Sequence, residues 1–99
     1  MPGKLSHHAI RRASQRGLSE DEIAFVFYFG RRLHRTGIQF VFLGARDIPR
    51  HFKRSHGHLA GATLLIAPDG TVLTVYKNQA AWRTIKKKTK RSRRELPAA

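Results

Sequence analysis

Apolar and polar positions follow three rhythms along this chain, and the changes of rhythm mark its elements. From Ser6 the spacing is helical. Ala9, Ile10 and Ala13 gather on one side, and His8, Arg11, Arg12 and Gln15 on the other. This predicts a short amphipathic helix from about His7 to Arg16 with its cations outward. Ser6 serves as N-cap, and Gly17 takes the left-handed conformation that closes the helix. Ser19-Glu20-Asp21-Glu22 then forms a capping box, with Ser19 at the N-cap and Glu22 three residues on. The three acids also sit at the positive end of the helix dipole. The second helix runs to about Phe29 and ends at Gly30. From Ile23 to Phe29 it is apolar nearly all round, which predicts burial on most sides, packed across a sheet.

After Gly30 the period shortens. Arg31 to Arg35 reads as a short edge strand, Thr36-Gly37 as a turn, and Ile38 to Leu43 as a core strand. Gly44 to Gly61 is irregular, with a turn at Asp47-Ile48-Pro49. Ala62 to Ala67 is an apolar run that stops at Pro68-Asp69-Gly70, and Thr71 to Tyr76 follows with β-branched and aromatic residues, the clearest hairpin in the chain. The order α-α-β-β-β-β predicts an α+β domain over residues 1–82, with two N-terminal helices packed on one face of a four-stranded antiparallel sheet. Residues 83–99 hold eight basic residues and few apolar ones. They are expected to form a basic tail that stays disordered until bound.

Charge adds the strongest global constraint. Lysine and arginine number 20 against 6 acids, a net charge of +14. The surplus is divided equally between residues 1–82 and 83–99, so it is a property of the folded part as well as the tail. Such a field attracts polyanions, with nucleic acid bound through phosphate neutralisation as the leading partner and an acidic protein as the other. The absence of cysteine excludes disulfides and thiolate metal sites and suits a reducing cytoplasm. No apolar run approaches the roughly 20 residues that span a bilayer, and Met1 to Leu5 lacks a secretory leader. A cytoplasmic protein without a membrane partner is therefore expected.

The motif His8-Ala9, Arg12, Arg16-Gly17-Leu18-Ser19 resembles the opening of a family of small bacterial proteins classed as a domain of unknown function. Phe42-Leu43-Gly44 with Asp47-Ile48-Pro49, and the stretch Asp69 to Asn78, are similar to that family's middle and closing strand. The similarity covers about residues 6–80. The family is placed in the broad fold shared by barnase, EndoU, colicin nuclease domains and RelE-type toxins. The resemblance implies a small metal-independent ribonuclease, a toxin paired with an antitoxin. The basic tail and the histidine-rich loop at 51–58 depart from the family pattern.

Such cleavage needs a base for the 2′-OH proton, cations for the phosphorane and an acid for the leaving oxygen. His8 is the candidate base, since its place at the positive end of the first helix beside Arg11 and Arg12 favours the neutral ring. Arg12 is the candidate phosphate clamp. Thr74 and Tyr76 share one face of the last strand. They complete a catalytic set if that face lies beneath the first helix, and are structural if it does not. Arg11, Arg16, Lys77, Arg83, Lys86, Lys87, Lys88, Lys90 and Arg91 are candidate nucleic-acid contacts. Each has a structural alternative as a solvated charge. Barnase-like chemistry uses a glutamate base, and the strands hold none, so an enzyme here leans on histidine and arginine. His51, His56 and His58 lack a cysteine and have only Asp47 nearby, so they read as a solvated basic loop, and no metal or other cofactor is expected. Trp82 either stacks on a base or caps the core, and the core reading is preferred. An endoribonuclease of toxin type acting on ribosomal or transfer RNA, held by an acidic antitoxin, is thus one expected function. A non-catalytic nucleic-acid-binding module is the alternative, and an assembly protein docking on ribosomal RNA or an acidic partner is a third.

Overall fold

A computed structural model describes residues 3–88, so the candidate contacts Lys90 and Arg91 lie outside the described residues. Helix α1 spans His7–Gln15, and Ser6 Oγ accepts from the Ala9 N–H at 3.0 Å. The same hydroxyl donates to the Leu73 carbonyl at 2.9 Å. One serine thereby starts the helix and ties it to the last strand. Helix α2 spans Glu20–Phe29 and begins with the predicted capping box, in which Ser19 and Glu22 bond each other's backbone N–H.

Strands β1 (Arg31–Arg35), β2 (Ile38–Phe42), β3 (Ala62–Ile66) and β4 (Val72–Lys77) form a four-stranded antiparallel sheet in chain order. The β1–β2 hairpin turns through Thr36 at φ 55° and Gly37 at φ 78°, the paired left-handed conformations that match strand twist in a two-residue loop. Between β2 and β3 the chain makes short helical turns, including α3 (Lys53–His56). Here three histidines fold back on α2 and the loop's own aromatic ring. The His58 ring lies 2.7 Å from a Glu22 carboxylate oxygen, His56 stacks on Phe25 at 4.2 Å between centroids, and His51 packs on Phe52.

The sheet buries both faces. On the first, Val41, Leu64, Ile66, Val72 and Val75 pack under Ala9 and Ala13 of α1 and Ile23, Phe25 and Val26 of α2. Ile10 departs from the predicted apolar side: it is 53% exposed, because Ala9 and Ala13 alone lie one turn apart over β4. On the second face, Phe40 and Phe42 lie under a helix that sequence patterning does not predict. Helix α4 spans Ala81–Lys86, and its Ala81 and Ile85 are buried against those two rings. This corrects two expectations: helices cover both faces of the sheet, and the folded part runs past residue 82. One aliphatic side chain at the right spacing from Ala81 is enough, because the phenylalanines supply the rest of the apolar surface.

Candidate nucleic-acid interface

Helix α1 carries its candidates outward. His8, Arg11, Arg12 and Arg16 are all exposed. Arg12 Nε makes a long 3.5 Å contact with His8 Nε2, and its guanidinium also reaches the Gln15 amide oxygen at 3.3 Å. The spacing thus places imidazole and guanidinium side by side, as expected, on the solvent side of a helix whose inner side rests on β4.

Thr74 and Tyr76 point the other way. Val75, between them, belongs to the core beneath α1, whereas Tyr76 packs with Phe40, Phe42 and Trp82 on the second face, and Thr74 pairs with Leu65 there. The sheet therefore separates them from His8 and Arg12, and the four candidate catalytic residues are not brought around one phosphodiester. Period-two alternation puts Thr74 and Tyr76 on a common face, but only tertiary packing selects which face. Burial also pushes the Tyr76 phenol pKa up, with Thr63 opposing it. Both residues take the structural role that sequence patterning left open. Lys77 is exposed at the end of β4.

The second face has a cationic edge instead. Arg83, Lys86, Lys87 and Lys88 are exposed on or just after α4. Two adjoining depressions lie beside this helix and share Arg46 and Gln79. The smaller, of about 220 Å³, is bounded by Arg31, Phe42, Gly44 and Gly61. The larger, of about 590 Å³, is bounded by Trp82, Arg83 and Lys86. Trp82 is half-buried, 5.9 Å from the Phe42 ring and 5.4 Å from the Arg31 guanidinium. It serves both core and surface, and the two readings made from sequence do not exclude each other.

Arg31 is held by two-pronged contact with Asp47, at 3.0 Å from Nε and 2.9 Å from Nη2. The other Asp47 duty is to accept the Gly44 N–H at 2.8 Å, which shapes the rim of the smaller depression. Among the described residues Arg31 is the only lysine or arginine that reaches a carboxylate; the His58 ring also lies against Glu22, an ion pair only when the imidazole is protonated. Arg46, Arg83 and Lys86 reach no carboxylate among the described residues. Sequence reasoning missed Arg31 and Arg46, because the first looks like an edge-strand charge and the second like a loop charge. Neither carried a signal of its own: Arg31 is one of three arginines in β1, and Arg46 is one of several cations in the irregular stretch that follows β2.

Among the described residues no three histidines or acids gather as a metal site, and no helix is long and apolar enough to cross a membrane. The chain was compared with protein-family models, curated proteins and solved structures, and none of them matches. The resemblance of the opening and closing motifs rests on those motif residues alone.

Proposed function

We propose that this chain is an RNA-binding module that works by neutralising phosphates, without cutting the strand. The observation that carries the reading is the uncompensated charge: of all described lysines and arginines, only Arg31 has a carboxylate partner within the fold. A small domain that leaves its cations this free repels itself and gains most from a polyanion that releases counterions on binding. Two surfaces gather exposed members of this set: Arg11, Arg12 and Arg16 on the outer side of α1, and Arg46, Arg83, Lys86, Lys87 and Lys88 at the edge around α4. Half-buried Trp82 among the α4 cations favours nucleic acid over a purely acidic protein as partner, since aromatic rings beside phosphate-binding cations suit unstacked bases.

The toxin-type endoribonuclease is supported less well. Its base and clamp, His8 and Arg12, lie across the sheet from Thr74 and Tyr76. The test is to incubate the full chain with total bacterial RNA in the presence of EDTA, beside His8→Ala and Arg12→Ala. The proposal expects intact RNA, bound with strong salt dependence, and affinities lowered only modestly by Arg12→Ala. Cleavage leaving 2′,3′-cyclic phosphate ends, lost in both variants, overturns it in favour of the nuclease.

A further inference from the structure

We infer that the larger depression beside α4 seats one unpaired nucleotide of single-stranded RNA, its base against the Trp82 indole and its phosphate among Arg46, Arg83 and Lys86. This rests on the RNA-binding reading and adds which form of RNA is read and where.

The depression has the size and the parts for such a ligand. Its volume of about 590 Å³ falls within the roughly 300–1,000 Å³ typical of small-molecule sites. One wall is aromatic and is held by its neighbours: the Trp82 ring lies 5.9 Å from the Phe42 ring, and the Arg31 guanidinium 5.4 Å from the indole. Arg31 is itself pinned by Asp47, so the tryptophan has little freedom to lose when a base stacks on it. The rest of the rim carries cations that reach no carboxylate among the described residues. Arg46, Arg83 and Lys86 come from two separate segments and converge on one opening, which suits a tetrahedral anion with several oxygens. Gln79 is exposed on the same rim and offers both a donor and an acceptor to a base edge.

Each class of polyanion meets these parts differently. A duplex keeps its bases stacked inside and presents only phosphates, so it uses the cations and leaves the indole idle. Inorganic polyphosphate does the same. A single strand uses both, because unpaired bases stack on aromatic side chains while the backbone follows the cations. An acidic peptide matches the charge but brings no obligatory flat ring.

Trp82 is the sole tryptophan of the chain, so its fluorescence reports on this site without a label. The full chain is titrated with single-stranded oligouridylate, with duplex RNA of the same length, with inorganic polyphosphate and with oligoglutamate. Binding is followed in parallel by anisotropy or displacement. The expected result is saturable quenching by the oligouridylate alone. Trp82→Leu weakens single-strand binding by about 5- to 150-fold, the range that loss of one stacked base spans, and leaves duplex binding unchanged. Arg83→Ala with Lys86→Ala, both exposed and outside the core, weakens binding of the oligouridylate and abolishes the quenching at concentrations that saturate the native chain. This pair keeps the test open if Trp82→Leu fails to fold. RNA binding without any change in Trp82 emission, or equal affinity for single strand and duplex, overturns the nucleotide site and leaves the phosphate-binding module standing. Quenching by oligoglutamate that exceeds quenching by RNA overturns it in favour of an acidic protein ligand. Failure to bind any RNA overturns both.

Discussion

Replacing Ile85 by alanine tests whether α4 is part of the fold, and with it the cationic depression. Ile85 is fully buried and, with Ala81, joins the helix to Phe40 and Phe42. Truncation removes three carbons, about 2.4 kcal/mol of transfer free energy at about 0.8 per methylene, and a residual cavity raises the cost toward about 3 kcal/mol. A competing outcome limits that figure. Helix α4 has only six residues, and a helix so short has no stability of its own. If the cavity costs more than the helix gains by docking, the helix releases, and the loss equals its docking free energy. The cavity route predicts destabilisation by about 2 to 3 kcal/mol, or roughly 8 to 24 °C in Tm for a domain of this size, and release predicts a smaller loss. The two routes also differ in Trp82. Release moves the indole into water and red-shifts its emission before global unfolding, and amide exchange quickens over residues 81–88 while the sheet stays protected. Lys87→Ala, on an exposed position of the same segment, is the control and should change stability by less than about 0.5 kcal/mol. A Tm for Ile85→Ala within about 2 °C of the native chain, with Trp82 emission and exchange unchanged, would refute the docking of α4.

Asp47→Ala strands the Arg31 guanidinium and the Gly44 N–H together; the site is partly exposed, and the expected cost is about 1 to 2 kcal/mol by urea titration, with Asp47→Asn recovering part of it. Gly30→Ala places a Cβ 2.6 Å from the Val26 carbonyl oxygen and 2.8 Å from Val41 Cγ1. Its φ of −70° is ordinary, so the expected loss of about 1 to 3 kcal/mol is steric, and a neutral substitution contradicts the close approach of α2 to the sheet. Glu22 is held below its ordinary pKa first by the Ser19 backbone N–H and then by His58. A depressed carboxylate contributes stability that is complete above its ordinary range and is lost as pH falls through the folded value. Glu22→Gln should therefore flatten the acid limb of the stability profile below about pH 4.5, leaving a slope from Asp69, whose carboxylate is held down by Thr71. An acid limb as steep as in the native chain argues against this role.

Local chemistry made the N-terminal half legible. The Ser6 cap, the Ser19–Glu22 capping box and the Thr36-Gly37 turn each satisfy their backbone groups within a few residues, so the sequence displays them directly. The hairpin of β3 and β4 was legible for the same reason. Helix α4 was not, because its apolar partners Phe40 and Phe42 lie some forty residues earlier and its own segment shows one isoleucine among cations. The face taken by Thr74 and Tyr76 was open for a related reason. Alternation pairs them, but the choice of face belongs to the packing of α1 over Val75, and pairing of β3 with β4 shifts between Leu65 and Ile66. The α4 depression is built from separate segments brought together by the meander, and each of its arginines alone resembles an ordinary surface charge.

The central claim is that free cations of this fold neutralise RNA phosphates. Its most direct test is the affinity of the full chain for single-stranded RNA measured across a series of salt concentrations. Engagement of four or more phosphates predicts a log–log slope of about −3 or steeper, at about −0.7 per phosphate. An affinity that does not fall as salt rises, or no binding at low ionic strength, contradicts the account.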